Sequence, residues 1–339
     1  MTSRELVRHT LEFQKTDRLP RQLWSLPISR LNYGDRVNEL ERRFPSDIVG
    51  ASYRMPADAN IKGDPYAVGE HRDEWGCVFE NAHPGVIGQV KHPVLDDWSK
   101  LAHFKPPFHL LGRGMEDVNR SVAESDRFVM SNCIARPFER MQFLRGSQNL
   151  YVDIADRSRE FFQLRDMVHD YYCRDAEEWA KTDVEAIFFM DDWGAQNSLL
   201  ISPDAWQELF KPLYADYCRI ACNAGKYVFM HSDGCIFDIY EDLIEIGVNA
   251  INSQLFTMDI EEIGRRFKGR ITFWGEIDRQ HILPSPDAEV ARQAVRRVAD
   301  ALYDGHGGAI AQFEFGVAAR IENAYAIFEE WEKVASSTI

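Results

Sequence analysis

Val184-Glu-Ala-Ile-Phe-Phe-Met190 runs straight into Asp191-Asp192-Trp193-Gly194. The first stretch carries a single charge and is otherwise apolar, which suits a strand covered on both faces. The second is polar and turn-forming. The same change of character recurs downstream. Tyr227-Val-Phe-Met230 stops at His231-Ser232-Asp233-Gly234, and Val248-Asn-Ala-Ile251 stops at Asn252-Ser253-Gln254. Ile271-Thr-Phe-Trp274 stops at Gly275-Glu276-Ile277-Asp278, and Ala309-Ile-Ala311 stops at Gln312-Phe313-Glu314.

Helical patterns fill the gaps. Ser202-Pro203-Asp204 opens one with an N-cap, a proline at the first helical position and an acid in the first turn. Trp206, Leu209, Phe210, Leu213, Tyr217 and Ile220 mark its buried face and Gly225 its end. Ser285-Pro286-Asp287 predicts a second start of the same kind, and a helix from Asp259 to Gly269 lies between them. Strand and helix alternate at least five times with almost no hairpin signal, the pattern of a parallel sheet. No G-x-G-x-x-G follows a strand and no G-x-x-x-x-G-K occurs, so a nucleotide-binding fold loses support.

The expected fold is therefore α/β, a (β/α)8 TIM barrel with an N-terminal elaboration. Residues 1–339 form one barrel domain, in which 128–339 are regular βα units. Residues 1–127 supply the early strands, an extension and a cap over one end. Within them, Gln22-Leu23-Trp24 reads as the first strand, and Trp75–Phe79 with Gly85–Val90 as a short hairpin.

The chain has 339 residues, with 54 acids against 39 bases and a net charge of −15. That balance argues against a nucleic-acid partner, which needs clustered cations, and against an anionic membrane surface. No apolar run approaches the ~20 residues of a membrane span. The six cysteines form no C-x-x-C pair. Reduced thiols and a cytoplasmic location are the expectation.

In a barrel the C-terminal strand ends converge on one mouth, where active sites sit. Asp191, Asp192, Asp233, Glu276, Asp278 and Glu314 would meet there beside His231, Asn252, Gln254 and Gln312. Carboxylates brought together repel one another, so they must protonate, bind a cation or pair with bases. An imidazole among them points to a metal or a proton-transfer site. The H-x-D spacing puts His231 and Asp233 on one face of a strand.

Several motifs resemble those of the uroporphyrinogen decarboxylase superfamily, most closely its corrinoid-dependent methyltransferase branch. They are Ser3-Arg-Glu-x-Val, Asp17-Arg-x-Pro20, Asp73-Glu-Trp-Gly76, Asp191-Asp-Trp-Gly194, Ile201-Ser-Pro203, His231-Ser-Asp-Gly234 and Gly275-x-Ile-Asp278. The resemblance runs through nearly the whole chain and implies a (β/α)8 barrel. Decarboxylases of the family carry R-Q-A-G-R-Y to grip a tetrapyrrole. Here Pro20-Arg21-Gln22-Leu23-Trp24 lacks the second arginine and the glycine. Family methyltransferases acting on thiols hold zinc with H-x-C and a later cysteine. Here the pair is His231-Ser232-Asp233, and the later position falls at Phe313 beside Glu314.

The resemblance implies an enzyme that demethylates a small methyl ether or methylated amine and passes the methyl group to a corrinoid (cobalamin) on a partner protein. It implies His231 and Asp233, with Glu314, as ligands of a zinc site or as a proton-transfer group. Asp192 and Glu314 would orient the substrate or act as acid. Gln254 and Glu276 would supply hydrogen bonds, Asp191 a further substrate contact, and Trp193 and Phe313 walls. A family decarboxylase and a non-catalytic corrinoid- or ligand-binding barrel are the alternatives. Barrels of this kind often pair as homodimers, and no interface is legible in the sequence.

Overall fold

In a computed structural model that describes residues 1–338, with side chains to Ser336, eleven strands follow the chain. They are β1 (Arg21–Ser25), β2 (Ile48–Gly50), β3 (Gly69–Arg72), β4 (Val78–Asn81), β5 (Gln89–His92), β6 (Phe128–Ala135), β7 (Ala186–Met190), β8 (Tyr227–Ser232), β9 (Ala250–Ser253), β10 (Thr272–Trp274) and β11 (Ala309–Phe315). Eight of them form one sheet in the order β1-β11-β10-β9-β8-β7-β6-β2, with every pairing parallel. The seam between β1 and β2 is drawn together by Asp47 N donating to Arg21 O at 2.8 Å and Gln22 Nε2 donating to Ile48 O at 3.2 Å. The result is the expected (β/α)8 barrel.

Alternation along the strands fills it. Phe128, Met130, Ala186, Phe188, Phe229, Ala250, Trp274 and Ile310 point inward and pack together. Their neighbours Ile187, Phe189, Val228, Met230, Ile251 and Phe273 point outward into the helix layer. The helix Ser3–Leu11, capped by Thr2 and Glu5, inserts Val7 and Leu11 into the inner cluster from below. Asp47 binds its flank by accepting from Ser3 Oγ (2.7 Å), from the Arg18 fork (2.6 and 2.7 Å) and from Arg21 N (2.9 Å). One end is thereby plugged, and the C-terminal strand ends form the open mouth.

Two helix boundaries differ from the sequence expectation. The helix opened by Ser202 runs only over Pro203–Leu209 and restarts as Lys211–Asn223, because Pro212 has no N–H and crowds the preceding turn. The later helix starts at Ala288 with Asp287 as cap, and Ser285 instead braces that cap by accepting from Asp287 N. The first 127 residues hold β1, β2 and a separate three-stranded antiparallel sheet, β3-β4-β5, which covers part of the mouth. The expected hairpin corresponds to β4 and β5, and β2 and β3 are the strands that the sequence did not reveal. Among the described residues no helix is long and apolar enough to cross a membrane.

Candidate active site

His231 stands on the inner face of β8, 5% exposed, with the Trp24 ring 5.2 Å away. Its Nδ1 lies 2.6 Å from Asn252 Oδ1, one strand over. The orientation of that amide is set elsewhere. Asn252 Nδ2 donates to the carbonyl of Trp274, which can only accept, and to Gln312 Oε1 at 2.8 Å. Asn252 Oδ1 is therefore the acceptor, and His231 Nδ1 carries a hydrogen. Trp274 in turn donates from Nε1 to Gln22 Oε1 at 2.8 Å, so the layer beneath the imidazole is a fixed polar network.

The other ring nitrogen, Nε2, faces Asp192 Oδ1 at 3.5 Å and Asp233 Oδ1 at 3.4 Å. One donor atom from each of these residues lies within 4.8 Å of the others. Asp233 Oδ1 is buried and has no hydrogen bond. Three acceptor-type atoms turned on one another, two of them carboxylate oxygens, form a set that a cation or a shared proton stabilises. The loops that hold them are locked back to back. Asp192 Oδ1 accepts from Asp233 N at 2.9 Å, and Gly194 N donates to Asp233 O at 3.0 Å. A Cβ on Gly234, whose φ is +78°, would lie 2.2 Å from the Gly194 backbone, so only glycine fits this crossing.

Arg279 supports the rim, and sequence reasoning missed it. Its guanidinium binds Asp233 Oδ2, lies 3.1 Å from Glu314 Oε2 and comes within 3.9 Å of Glu276 Oε1. Burial pushes the Glu276 carboxyl well above the usual carboxylate range, with Arg279 opposing. Gln254 Oε1 accepts from Gly234 N at 3.0 Å. Gln254, Glu276, Asp278 and Arg279 line a recess of about 50 Å³. The position directly after Gly275-x-Ile-Asp278 was the only signal for Arg279.

The structure thus joins His231, Asp233 and Asp192, with Glu276, Glu314 and Gln254 alongside. Glu314 meets Arg279 and not the imidazole, and Asp192 takes the third place in the triad. Three expected site residues lie elsewhere. Asp191 is fully buried and accepts from the N–H groups of Phe138 (2.8 Å) and Glu139 (2.7 Å) and from the Tyr214 hydroxyl. It anchors the first turn of the helix Pro137–Arg145, and burial pushes its carboxyl up to about 8 against those donors. Trp193 is fully buried, stacked 4.3 Å from Phe138 with Nε1 on the Tyr214 hydroxyl, so it forms core and not a wall. Phe313 falls on the outward parity of β11 and packs on Phe328 at 5.0 Å.

A larger cavity of about 680 Å³ opens between the β3-β4-β5 sheet and the ends of β6 and β7. Cys133 and Met190 on its floor also touch the inner barrel cluster, and Met190 is paired in register with His231. The lid over it is tied down by Arg140 of the helix Pro137–Arg145. Arg140 binds Asp73 and lies 3.4 Å from Glu74, over the Trp75 ring at 4.9 Å. Asp73 Oδ1 accepts from Trp75 N (3.0 Å) and Cys77 N (2.7 Å), which shapes the Asp73-Glu-Trp-Gly76 turn.

Fold and site together define a (β/α)8 barrel with a His–Asp–Asp cluster at its C-terminal mouth. The model of the uroporphyrinogen decarboxylase (URO-D) family matches residues 76–333, and the chain belongs to that family. Among solved structures, a methyltransferase from Methanosarcina mazei superposes with a TM-score of 0.65 at 13% identity, covering 98% of this chain and 99% of its own. A B12-independent methionine synthase from Shewanella sp. W3-18-1 is more distant, with a TM-score of 0.49 at 13% identity, covering 96% of each chain. No curated protein matches the sequence.

Proposed function

We propose that this protein is a methyltransferase that demethylates a small methyl ether or methylated amine and delivers the methyl group to a corrinoid carried by a partner protein. The observation that carries the reading is the triad: His231 Nε2 and the Oδ1 atoms of Asp192 and Asp233 face one another beside a cavity large enough for an organic substrate. The donor set of one imidazole and two carboxylates fits a divalent cation such as zinc, held by His231, Asp192 and Asp233, and the orphaned Asp233 Oδ1 supports that fit. When bound, such a cation supplies Lewis-acid polarisation of the leaving heteroatom.

In this reading a reduced corrinoid would supply the electron pair that takes the methyl carbon. The bond from carbon to oxygen or nitrogen breaks with its pair on the heteroatom, which takes up one proton and leaves as an alcohol or amine. The chain's own residues organise this exchange. Asn252 fixes the imidazole tautomer, Arg279 holds Asp233 in place, and the inner aromatic ring of Trp24 keeps water from one side of His231.

The decarboxylase reading lacks its grip. Arg21, the one arginine in the corresponding segment, pairs with Glu332 at 2.9 Å and sits over Phe44 on the outer layer.

Two measurements test the reading. Purified protein dialysed against zinc is expected to hold about one ion per chain, and methyl transfer from a methyl ether to a reduced corrinoid protein is expected to require it. A stoichiometry far below one, with transfer intact, would replace the cation by a shared proton. Asn252→Leu removes the acceptor on Nδ1 and is expected to weaken zinc binding about 10–100-fold in a competitive chelator titration. Unchanged affinity would mean that the imidazole is not a ligand.

A further inference from the structure

The lining of the 680 Å³ cavity is chemically lopsided. Its walls are rings: Tyr53 faces Trp179 at 5.5 Å, and Trp75 faces Tyr171 at 4.6 Å. Next to the mouth stand Arg136 and Glu139, whose charged groups approach to 3.2 Å. Their alignment is poor: Arg136 Nε and Glu139 Oε2 are both buried with no hydrogen bond, and the Arg136 guanidinium otherwise turns to sulfur, with an Nη donating to Met190 Sδ and the Cys133 thiol beside it. Arg136 therefore has donor capacity to spare at the end nearest His231.

The other charges are accounted for one by one. Asp73 and Glu74 share Arg140. Asp175, on the helix Arg159–Ala180, has no hydrogen bond or ion pair to another described residue, and the charges that act on its carboxyl are the carboxylates of Glu74 and Glu178. Burial, reinforced by those two acids, pushes its carboxyl up to about 7. The cavity thus has one carboxylate without a cation, set among ring faces that themselves attract cations. Its volume is that of an ordinary small-molecule site.

We propose that this cavity holds the methyl donor, and that the donor is a flat, ring-sized organic amine with its ammonium group at Asp175 and its methylated oxygen toward Arg136 and the triad. The identification of the ligand as donor rests on the methyltransferase reading, whereas the binding chemistry does not. The ammonium balances Asp175, the aromatic walls cover the flat body, and Arg136 donates to the oxygen as it gains charge on leaving. His71 Nδ1, also buried in the lining without a partner, adds one more polar contact for the ligand body.

Isothermal titration of the full chain with three probes tests this. They are 4-methoxyphenethylamine, its neutral counterpart 4-ethylanisole and its anionic counterpart 4-methoxyphenylacetate. The amine is expected to bind at least about tenfold more tightly than either counterpart and to quench tryptophan fluorescence through Trp75 and Trp179. Asp175→Asn is expected to remove that preference while leaving the neutral probe's affinity unchanged. Equal or tighter binding of the neutral or anionic probe overturns the proposal, and so does unchanged amine affinity in the variant. Should the variant fail to fold, the ranking of the three probes on the wild type decides alone. Amine binding without methyl transfer to any reduced corrinoid protein would sink the methyltransferase reading and leave the cavity assignment standing. Transfer from a different donor with no amine binding would do the reverse.

Discussion

Exchange of His231 for alanine is expected to lower methyl transfer by about 10²–10⁴-fold, the usual contribution of a positioned proton-transfer group and a lower bound for a metal ligand. The imidazole is the one nitrogen ligand of the triad, and its Nε2 faces both carboxylates. Without it, Asp192 and Asp233 face each other with nothing between them. The fold is expected to persist. The ring's one hydrogen bond within the network goes to Asn252, and leaving that acceptor unpaired costs about 1–3 kcal/mol. Asn252 keeps its two donor contacts. Asp233→Ala should give a comparable loss of transfer and also free Arg279 from one of its three carboxylates. The measurements are single-turnover methyl transfer beside far-ultraviolet circular dichroism. Wild-type rates in His231→Ala would remove the triad from the mechanism.

A loss of stability of about 3–5 kcal/mol is expected for Arg140→Met, far more than for any surface ion pair in the molecule. Arg140 is 6% exposed and Asp73 8%. Besides its carboxylates, the guanidinium reaches the Tyr172 hydroxyl and lies over the Trp75 and Phe143 rings. Methionine fills much of the volume but leaves Asp73 charged and buried without a counter-ion. Arg140→Met combined with Asp73→Asn should recover a large part of the loss. The asparagine oxygen can still accept from Trp75 N and Cys77 N while no charge remains to be paired. Urea unfolding of the two single variants and the double variant provides the cycle. A cost below about 1 kcal/mol for Arg140→Met would mean that the lid is held by ring packing alone.

How far the site was legible depends on distance along the chain. The change from apolar run to polar cluster is local, so the strand ends carrying Asp192, His231, Asp233, Glu276 and Glu314 could be read directly. Trp193 lies beyond the end of β7 and was misplaced because its partners Phe138 and Tyr214 belong to helices elsewhere in the chain. Phe313 was misplaced because both faces of a buried parallel strand are apolar, and period-two alternation does not say which parity faces inward. That parity is set by register against β1 and β10. Asp191 and Asp192 look equivalent in sequence, yet one turns back to cap a helix 52 residues away and the other meets His231. Arg279 showed only as the position after a motif, and its ties to Asp233 and Glu314 come from other strand ends. Arg136 and Asp175 gave no signal because the cavity they line is built from segments far apart in the chain.

The sequence by itself determined the barrel and the polar groups at its strand ends, since each follows from residue type at short range. Only the tertiary structure decided which carboxylates share the imidazole, which are held by Arg279 or bury themselves against a helix, and that rings of the N-terminal cap and of the helix Arg159–Ala180 enclose a cavity beside the mouth. Those outcomes come from pairing charges and matching hydrogen bonds across loops. Their energies depend on distances of a few ångströms between segments that no local pattern places side by side.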